Sequence, residues 1–176
     1  MTPHDGTETT PMELDGVVRT ALGVLGAIDF ELAYLALLTR EGVKPVSRWE
    51  KPLAEPAAEA LEQMGLLTRQ VARTVRTGKA FTETIFGRAP AYLEAYAQHF
   101  EGQPVDKSAE TVRIEGFLFG YPPCCVAQYI KRSYAPNEFP THKREILFHW
   151  TCKGCIITPL LVPLYERVHR LTRQSV

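Results

Sequence analysis

The four cysteines of this 176-residue chain stand in two close pairs, and this pairing constrains the fold more than any other sequence feature. Cys124 and Cys125 are adjacent, and Cys152 and Cys155 form a Cys-x-x-Cys motif after 26 intervening residues. Gly154 allows the backbone to turn so that both sulfurs of the motif face one centre. Since no cysteine is left over, the leading interpretation is that the chain folds back and four thiolates share one metal site.

Other interpretations of the cysteines stay open. Cys152 and Cys155 alone can form a metal-free redox dithiol, or the cysteines can be buried structural thiols beside a coincidental pair. His149 lies three residues before Cys152, within ligand range, and can replace one of the adjacent cysteines as a metal ligand. A packed histidine beside Trp150 is the favoured interpretation of His149.

The residues around the first pair favour thiolates. Pro122 and Pro123 suit the first turn of a helix, which places Cys124 and Cys125 at the positive end of the helix dipole. We therefore expect lowered thiol pKa values for both cysteines. Basic residues in the same half add positive charge; they are Lys131, Arg132, Lys143, Arg144 and Lys153.

The adjacency of two cysteines bears on which metal is bound. Consecutive helical residues point about 100° apart, which fits awkwardly on neighbouring vertices of one small tetrahedral zinc ion. An iron–sulfur cluster offers a separate iron to each sulfur, so a 4Fe-4S cluster is favoured and Zn²⁺ is the alternative. Residues expected around the ligands are Tyr121, Tyr129 and Arg132, with Tyr134 nearby. The tyrosines either cover the site as core residues or line a pocket.

The N-terminal half has the element order of a winged helix. Apolar residues recur at helical spacing over residues 14–38, which predicts one long helix or two in succession, and residues 53–64 predict another. Between them, Lys44-Pro45 and Lys51-Pro52 predict a loop. Residues 66–75 and 80–86 read as a hairpin, with Arg76-Thr77-Gly78-Lys79 as its turn.

DNA binding by this half is disfavoured. The helix at residues 53–64 carries Glu55, Glu59 and Glu62 and no Lys or Arg, so it brings negative charge toward phosphates. Basic side chains of the wing compensate in part; they are Arg69, Arg73, Arg76 and Lys79. A packing or dimerisation module, with a homodimer as one form, is the favoured interpretation of this half.

A second half is predicted after a linker at residues 102–106. Residues 90–100 form a short helix before the linker, and Ser108 caps a helix that runs to Gly120. The apolar segment 156–168 predicts a last helix packed over the cysteines, started or kinked by Pro159 and Pro163. The predicted organisation is a flexible leader (1–13), a winged-helix-like domain (14–101) and a helical four-cysteine metal-binding domain (107–176).

Charge and hydropathy narrow the class of protein. The 20 basic and 20 acidic residues balance, although acidic residues dominate residues 1–65 by 11 to 5 and basic residues dominate residues 122–176 by 8 to 3. Residues 1–16 lack the apolar core of a secretory signal, and no apolar run approaches the length of about 20 residues that a membrane span needs. We expect a cytoplasmic protein without membrane contact, where cysteine clusters bind metal or do redox chemistry.

The string Phe117-Leu118-Phe119-Gly120-Tyr121-Pro122-Pro123-Cys124-Cys125-Val126, together with the second cysteine motif, resembles an uncharacterised prokaryotic family defined by a Gly-Tyr-Pro-x-Cys-Cys box. The resemblance covers about residues 108–165. It implies that the two cysteine pairs act as one unit, and it implies no reaction. The pairing is also similar to that of iron–sulfur epoxyqueuosine reductases, but only in cysteine types, so no substrate is carried over.

The sequence thus predicts an α+β, mainly helical, four-cysteine protein. The first functional hypothesis is an iron–sulfur protein in redox or electron transfer, with oxidoreductase activity as an open question and an unidentified small-molecule or protein redox partner. The alternative is a zinc-stapled winged-helix regulator or interaction module. No catalytic residue is assigned.

Overall fold

The computed structural model describes residues 14–75 and 77–176. The predicted leader, residues 1–13, and Arg76 of the predicted turn lie outside the described residues. In chain order the elements are α1 (Gly16–Ile28), α2 (Phe30–Arg40), β1 (Val46–Trp49), α3 (Glu55–Gln63), β2 (Leu67–Thr74), β3 (Ala80–Gly87), α4 (Pro90–Phe100), α5 (Ala109–Leu118), α6 (Pro123–Lys131), α7 (Thr141–Arg144) and α8 (Thr158–Arg173). The fold is α+β and mainly helical, as predicted.

The helical pattern of residues 14–38 forms two helices that meet at Asp29. Asp29 has an extended backbone, with φ −164° and ψ 129°, which ends α1. Its carboxylate accepts a hydrogen bond from the backbone N–H of Glu31 at 2.9 Å and so caps α2. Helix α2 is buried over most of its length and contacts α1, α8, β1 and β3, which makes it the central helix of the fold.

The three strands form one antiparallel sheet in the order β1-β3-β2. The predicted hairpin of β2 and β3 is confirmed, but the prediction of a loop between Lys44 and Pro52 is wrong, because β1 lies there. Val46 and Trp49 of β1 are buried and pair with Gly87 and Thr84 of β3. A strand of four residues is too short to show an alternating pattern in the sequence. The winged-helix comparison stays a prediction.

Each face of the sheet supports one apolar core. Successive side chains of a strand point to opposite faces, and Phe86 and Ile85 of β3 accordingly belong to different cores. The first core contains α1 to α3 and is completed by Tyr165 and Val168 of α8. The second contains α4 and Leu118 at the end of α5. Both cores therefore contain residues from either side of the predicted linker at residues 102–106.

Candidate metal centre

The first cysteine pair lies in the opening turn of α6. Pro122 is the N-cap and Pro123 the first helical residue, as the sequence predicts. The backbone N–H groups of Cys125 and Val126 both donate to the Pro122 carbonyl, at 2.9 and 3.1 Å. Proline suits this position because its missing N–H would have no helical partner. The turn thus holds both cysteines at the start of the helix.

Gly120 sets the approach of this segment to the N-terminal part of the chain. Its φ is +73°, a region that favours glycine. A Cβ at this position would lie 2.8 Å from Pro45 Cδ and 3.2 Å from the Val43 carbonyl oxygen. Only glycine fits both the backbone angle and the space, so Gly120 lets the loop before β1 pack directly against the chain that leads into α6.

The second cysteine pair forms a tight turn just before α8. The backbone N–H of Cys155 donates to the Cys152 carbonyl at 3.2 Å, and Gly154 has φ +70°. The predicted turn at Gly154 is confirmed. Because Thr158 is the first residue of α8, the turn delivers the second pair to the start of that helix.

The four sulfur atoms lie within 4.8 Å of one another. Cys125 Sγ is 3.8 Å from Cys152 Sγ and 3.5 Å from Cys155 Sγ, and Cys124 Sγ is 3.6 Å from Cys155 Sγ. Cys125 is buried, Cys124 is exposed, and the other two are intermediate. The chain folds back as predicted, and the four cysteines can hold a metal.

The adjacent cysteines converge more easily than their spacing on a helix predicts. Side chains in the first helical turn have no earlier turn beneath them, so both thiols can rotate toward one centre. A regular tetrahedron with Zn–S distances of about 2.3 Å has sulfurs about 3.8 Å apart. The three sulfur distances of 3.5, 3.6 and 3.8 Å are close to that spacing.

Thr158 lies against the sulfurs from the α8 side. Its hydroxyl oxygen is 3.3 Å from Cys155 Sγ and 3.6 Å from Cys125 Sγ, and its backbone N–H donates to Cys155 Sγ at 3.3 Å. The same hydroxyl is 2.9 Å from His149 Nε2. Thr158 therefore connects two of the thiols to the histidine.

The thiol pKa values differ around the cluster. Burial raises the pKa of Cys125, so the expectation of a lowered value is wrong for this residue, because the loss of water outweighs the helix dipole. Burial and nearby Cys124 raise the pKa of Cys152 to about 11. Burial also opposes ionisation of Cys155, but hydrogen bonds from the Thr158 hydroxyl and backbone outweigh it and lower the pKa to about 7. A bound metal cation deprotonates a coordinating thiol outright.

Replacing Thr158 with valine is expected to weaken metal binding about 10- to 100-fold, because partners of metal ligands tune affinity on this scale. The change keeps the shape of the side chain and removes only the hydroxyl. The measurement is a competition titration with a metal chelator. Thr172→Val is the matched control, because Thr172 is also buried on α8 but its hydroxyl donates to Val168 O. Equal metal affinity in both variants would contradict this role of Thr158.

The other predicted site residues surround the cysteines at different distances. His149 contributes no atom to the group of converging ligand atoms and reaches it through Thr158. Tyr121 packs its ring 5.5 Å from the His149 ring, and Tyr129 lines the same pocket as Cys125. Arg132 is exposed at the end of α6, whereas the cysteines are at its start.

Two residues beside the site were missed by the sequence analysis. Thr158 had a usable signal, since it stands three residues after the last cysteine. Lys44 had none, because a single lysine before a proline looks like a loop residue. Lys44 is 2% exposed, and its Nζ donates to the Phe119 carbonyl at 3.2 Å. Burial lowers the pKa of Lys44 to about 7. Lys44 thereby ties the loop before β1 to the segment that leads into the first cysteine pair.

Comparisons with known proteins found no relative of this chain. No family model, curated protein or solved structure matches the chain. The resemblance to the Gly-Tyr-Pro-x-Cys-Cys family therefore stays a prediction. Within residues 14–75 and 77–176, no helix combines the length and hydropathy needed to cross a bilayer.

Proposed function

We propose that the four cysteines hold one zinc ion and that the protein is a zinc-stabilised binding module. The observation that carries this proposal is the sulfur spacing: the four sulfurs lie within 4.8 Å of one another, and three of the six distances, at 3.5 to 3.8 Å, suit one tetrahedral ion. In a four-iron cluster each thiolate binds a different iron, which sets the sulfurs further apart than ligands of one ion. The distances therefore favour zinc over the cluster that the sequence favours.

A site of this kind stabilises structure. Four thiolates fill the tetrahedral positions and leave none open for a water molecule, so Lewis-acid catalysis is not its role. The ion would join the start of α6, the turn at residues 152–155 and, through Thr158, the start of α8. It thereby fixes α6 to α8, although these helices are separated along the chain by residues 132–157, which contain only the short helix α7.

The iron–sulfur protein in redox or electron transfer is the second candidate. The observation that favours it is the adjacency of Cys124 and Cys125, because separate irons accept adjacent sulfurs with less strain. The exposure of Cys124 would leave one edge of a cluster near solvent, where an electron partner could approach. An oxidoreductase activity belongs to this candidate alone.

DNA regulation by a wing receives little support from the charges of the hairpin. Arg73, one of the wing residues expected to compensate in part for the acidic helix, is 1% exposed and lies 3.6 Å from Glu83. Arg69 forms an ion pair with Glu94 of α4. These two cations are compensated within the protein, which leaves Lys79 as an exposed cation on the described part of the hairpin. We therefore propose small molecules or proteins, and not DNA, as partners.

Counting metal and sulfide per chain tests the proposal. The protein is purified without oxygen, its visible spectrum is recorded, and zinc, iron and sulfide are quantified. We expect one zinc per chain and no visible absorption. About four irons and four sulfides would replace the proposal by the cluster protein. A metal-free protein with four titratable thiols would replace it by the dithiol interpretation.

A further inference from the structure

A pocket of about 440 Å³ lies against the metal centre, and Cys125 forms part of its wall. We name it the aromatic pocket because five rings line it, those of Tyr121, Tyr129, Tyr134, Phe148 and Trp150. Pockets of this size with mainly apolar walls and a few polar groups are typical of small-molecule sites. The rings offer flat surfaces, so a planar ligand is the best geometric match.

Tyr134, one of the residues that line the pocket, has an unfavourable backbone conformation. The Tyr134 ring packs edge-to-face on Tyr129 at 5.2 Å and on Trp150 at 5.4 Å. Tyr134 has φ +55°, which is unfavourable for a bulky side chain, and yet it is 61% exposed. Strained residues of this kind cluster where ligands are held. The exposure of Tyr134, despite its unfavourable backbone angle, supports a contact with a molecule outside the chain.

Arg144 supplies positive charge to the pocket. Its guanidinium stacks 4.5 Å from the Trp150 ring, and its Nη2 donates to Asn137 Oδ1 and to the Phe139 carbonyl. Both acceptors are neutral, and no carboxylate among the described residues is at ion-pair distance from Arg144. Its Nε is buried with no hydrogen-bond partner. Glu115 also lines the pocket, but its carboxylate pairs with Arg48 and Arg73, so the partly buried guanidinium of Arg144 favours an anionic group in the ligand.

His149 supplies an acceptor to the same pocket. His149 Nε2 is 2.9 Å from the Thr158 hydroxyl, and in the tautomer with the proton on Nε2 this nitrogen donates to that hydroxyl. The neutral ring then carries no proton on Nδ1, and burial keeps it neutral by lowering the pKa of His149 to about 4. Nδ1 is buried without a partner. Buried polar atoms are normally satisfied, so this nitrogen calls for a donor from outside the chain.

We propose that the aromatic pocket binds a planar heteroaromatic ligand with an acidic group, which Arg144 pairs with while His149 Nδ1 accepts a ring N–H. The proposal goes beyond the zinc site, which only fixes the Cys125 wall of the pocket. A heteroaromatic acid can stack on the rings, pair with Arg144 and donate a hydrogen bond to His149 Nδ1 at the same time. A neutral ligand would leave Arg144 uncompensated, and an aliphatic acid would leave the rings without a stacking partner.

The test is isothermal titration calorimetry of the metal-counted protein with indole-3-acetate as the probe. We expect saturable binding that is at least about ten-fold tighter than that of indole-3-acetamide, which has the same ring without the charge. Cyclohexylacetate, which has the charge without the ring, and 1-methylindole-3-acetate, which lacks the N–H, should also bind more weakly. No saturable binding of indole-3-acetate, or equal binding of the acid and the amide, would overturn the proposal. Equal binding of the methylated acid would overturn the role of His149.

A variant pair assigns the anion contact. Arg144→Gln should reduce the affinity for indole-3-acetate to that for the amide, while its neighbour Lys143→Gln should leave it unchanged, because Lys143 pairs with Glu166. Since the comparison of acid and amide uses the unaltered protein, it holds even if Arg144→Gln misfolds. The metal count of the same sample separates failure of the zinc proposal from failure of this one.

Discussion

Replacing Cys125 with serine is expected to release the metal and lower the melting temperature by about 10 °C. Structural zinc contributes about 10–16 kcal/mol to the folding of small zinc-finger peptides. This protein has two apolar cores of its own, so we expect only part of that value, about 3–5 kcal/mol. For a chain of this size each kcal/mol shifts the melting temperature by about 2–4 °C. Thermal unfolding followed by circular dichroism measures the effect.

A chelator provides the control for the Cys125 variant. Removing the metal from the unaltered protein should lower its melting temperature about as much as the substitution does. The same chelator should have no effect on Cys125→Ser, because no metal is left to remove. A variant that keeps one metal per chain, or that melts at the same temperature as the unaltered protein, would show that Cys125 is not a structural ligand.

Replacing Arg73 with methionine is expected to destabilise the fold by about 3 kcal/mol, because the two carboxylates that it contacts, Glu83 and Glu115, then share the guanidinium of Arg48. Arg73 of β2 and Glu83 of β3 lie diagonally across the strand pair, and each side chain is 1% exposed. Glu115 lies 3.6 Å from Arg73, Arg48 pairs with both carboxylates, and the Tyr96 hydroxyl donates to Glu83. Methionine keeps most of the side-chain volume, so the loss of stability measures the effect of removing the positive charge. Chemical denaturation measures it.

Arg69→Met is the matched control on the same strand. Arg69 pairs with Glu94 at the surface, where water screens the interaction, so we expect no measurable change in stability. Adding Glu83→Gln to the Arg73 variant should restore part of the lost stability, since it removes one of the two carboxylates that then share Arg48. An equal loss of stability in the Arg69 and Arg73 variants would show that the buried charge cluster stabilises the fold no more than a surface ion pair does.

The sequence was sufficient for features that depend on local chemistry. Helix ends at Ser108 and Pro122, the hairpin, and the convergence of the two cysteine pairs all follow from capping, turn and ligand patterns. In most cases the residues that determine the feature are close in the chain. The cysteines are distant in the chain, but all four can bind the same metal.

Features that depend on long-range packing were beyond the sequence. Strand β1 exists because Val46 and Trp49 reach the two cores, which no periodicity in four residues reveals. Lys44 is buried because Gly120 brings a distant segment against it. The opposite pKa shifts of Cys125 and Cys155 likewise depend on burial and on Thr158, neither of which a helix-dipole argument includes.

The position of α8 in the first core has a consequence for how the protein is made. Tyr165 and Val168 complete the packing of α1 to α3, yet the ribosome adds them long after α3. Until they emerge, the nascent N-terminal helices keep an apolar surface exposed, which favours aggregation or chaperone contact. The docking of α8 is therefore expected to occur long after α1 to α3 have emerged, together with closure of the cysteine cluster at its first turn.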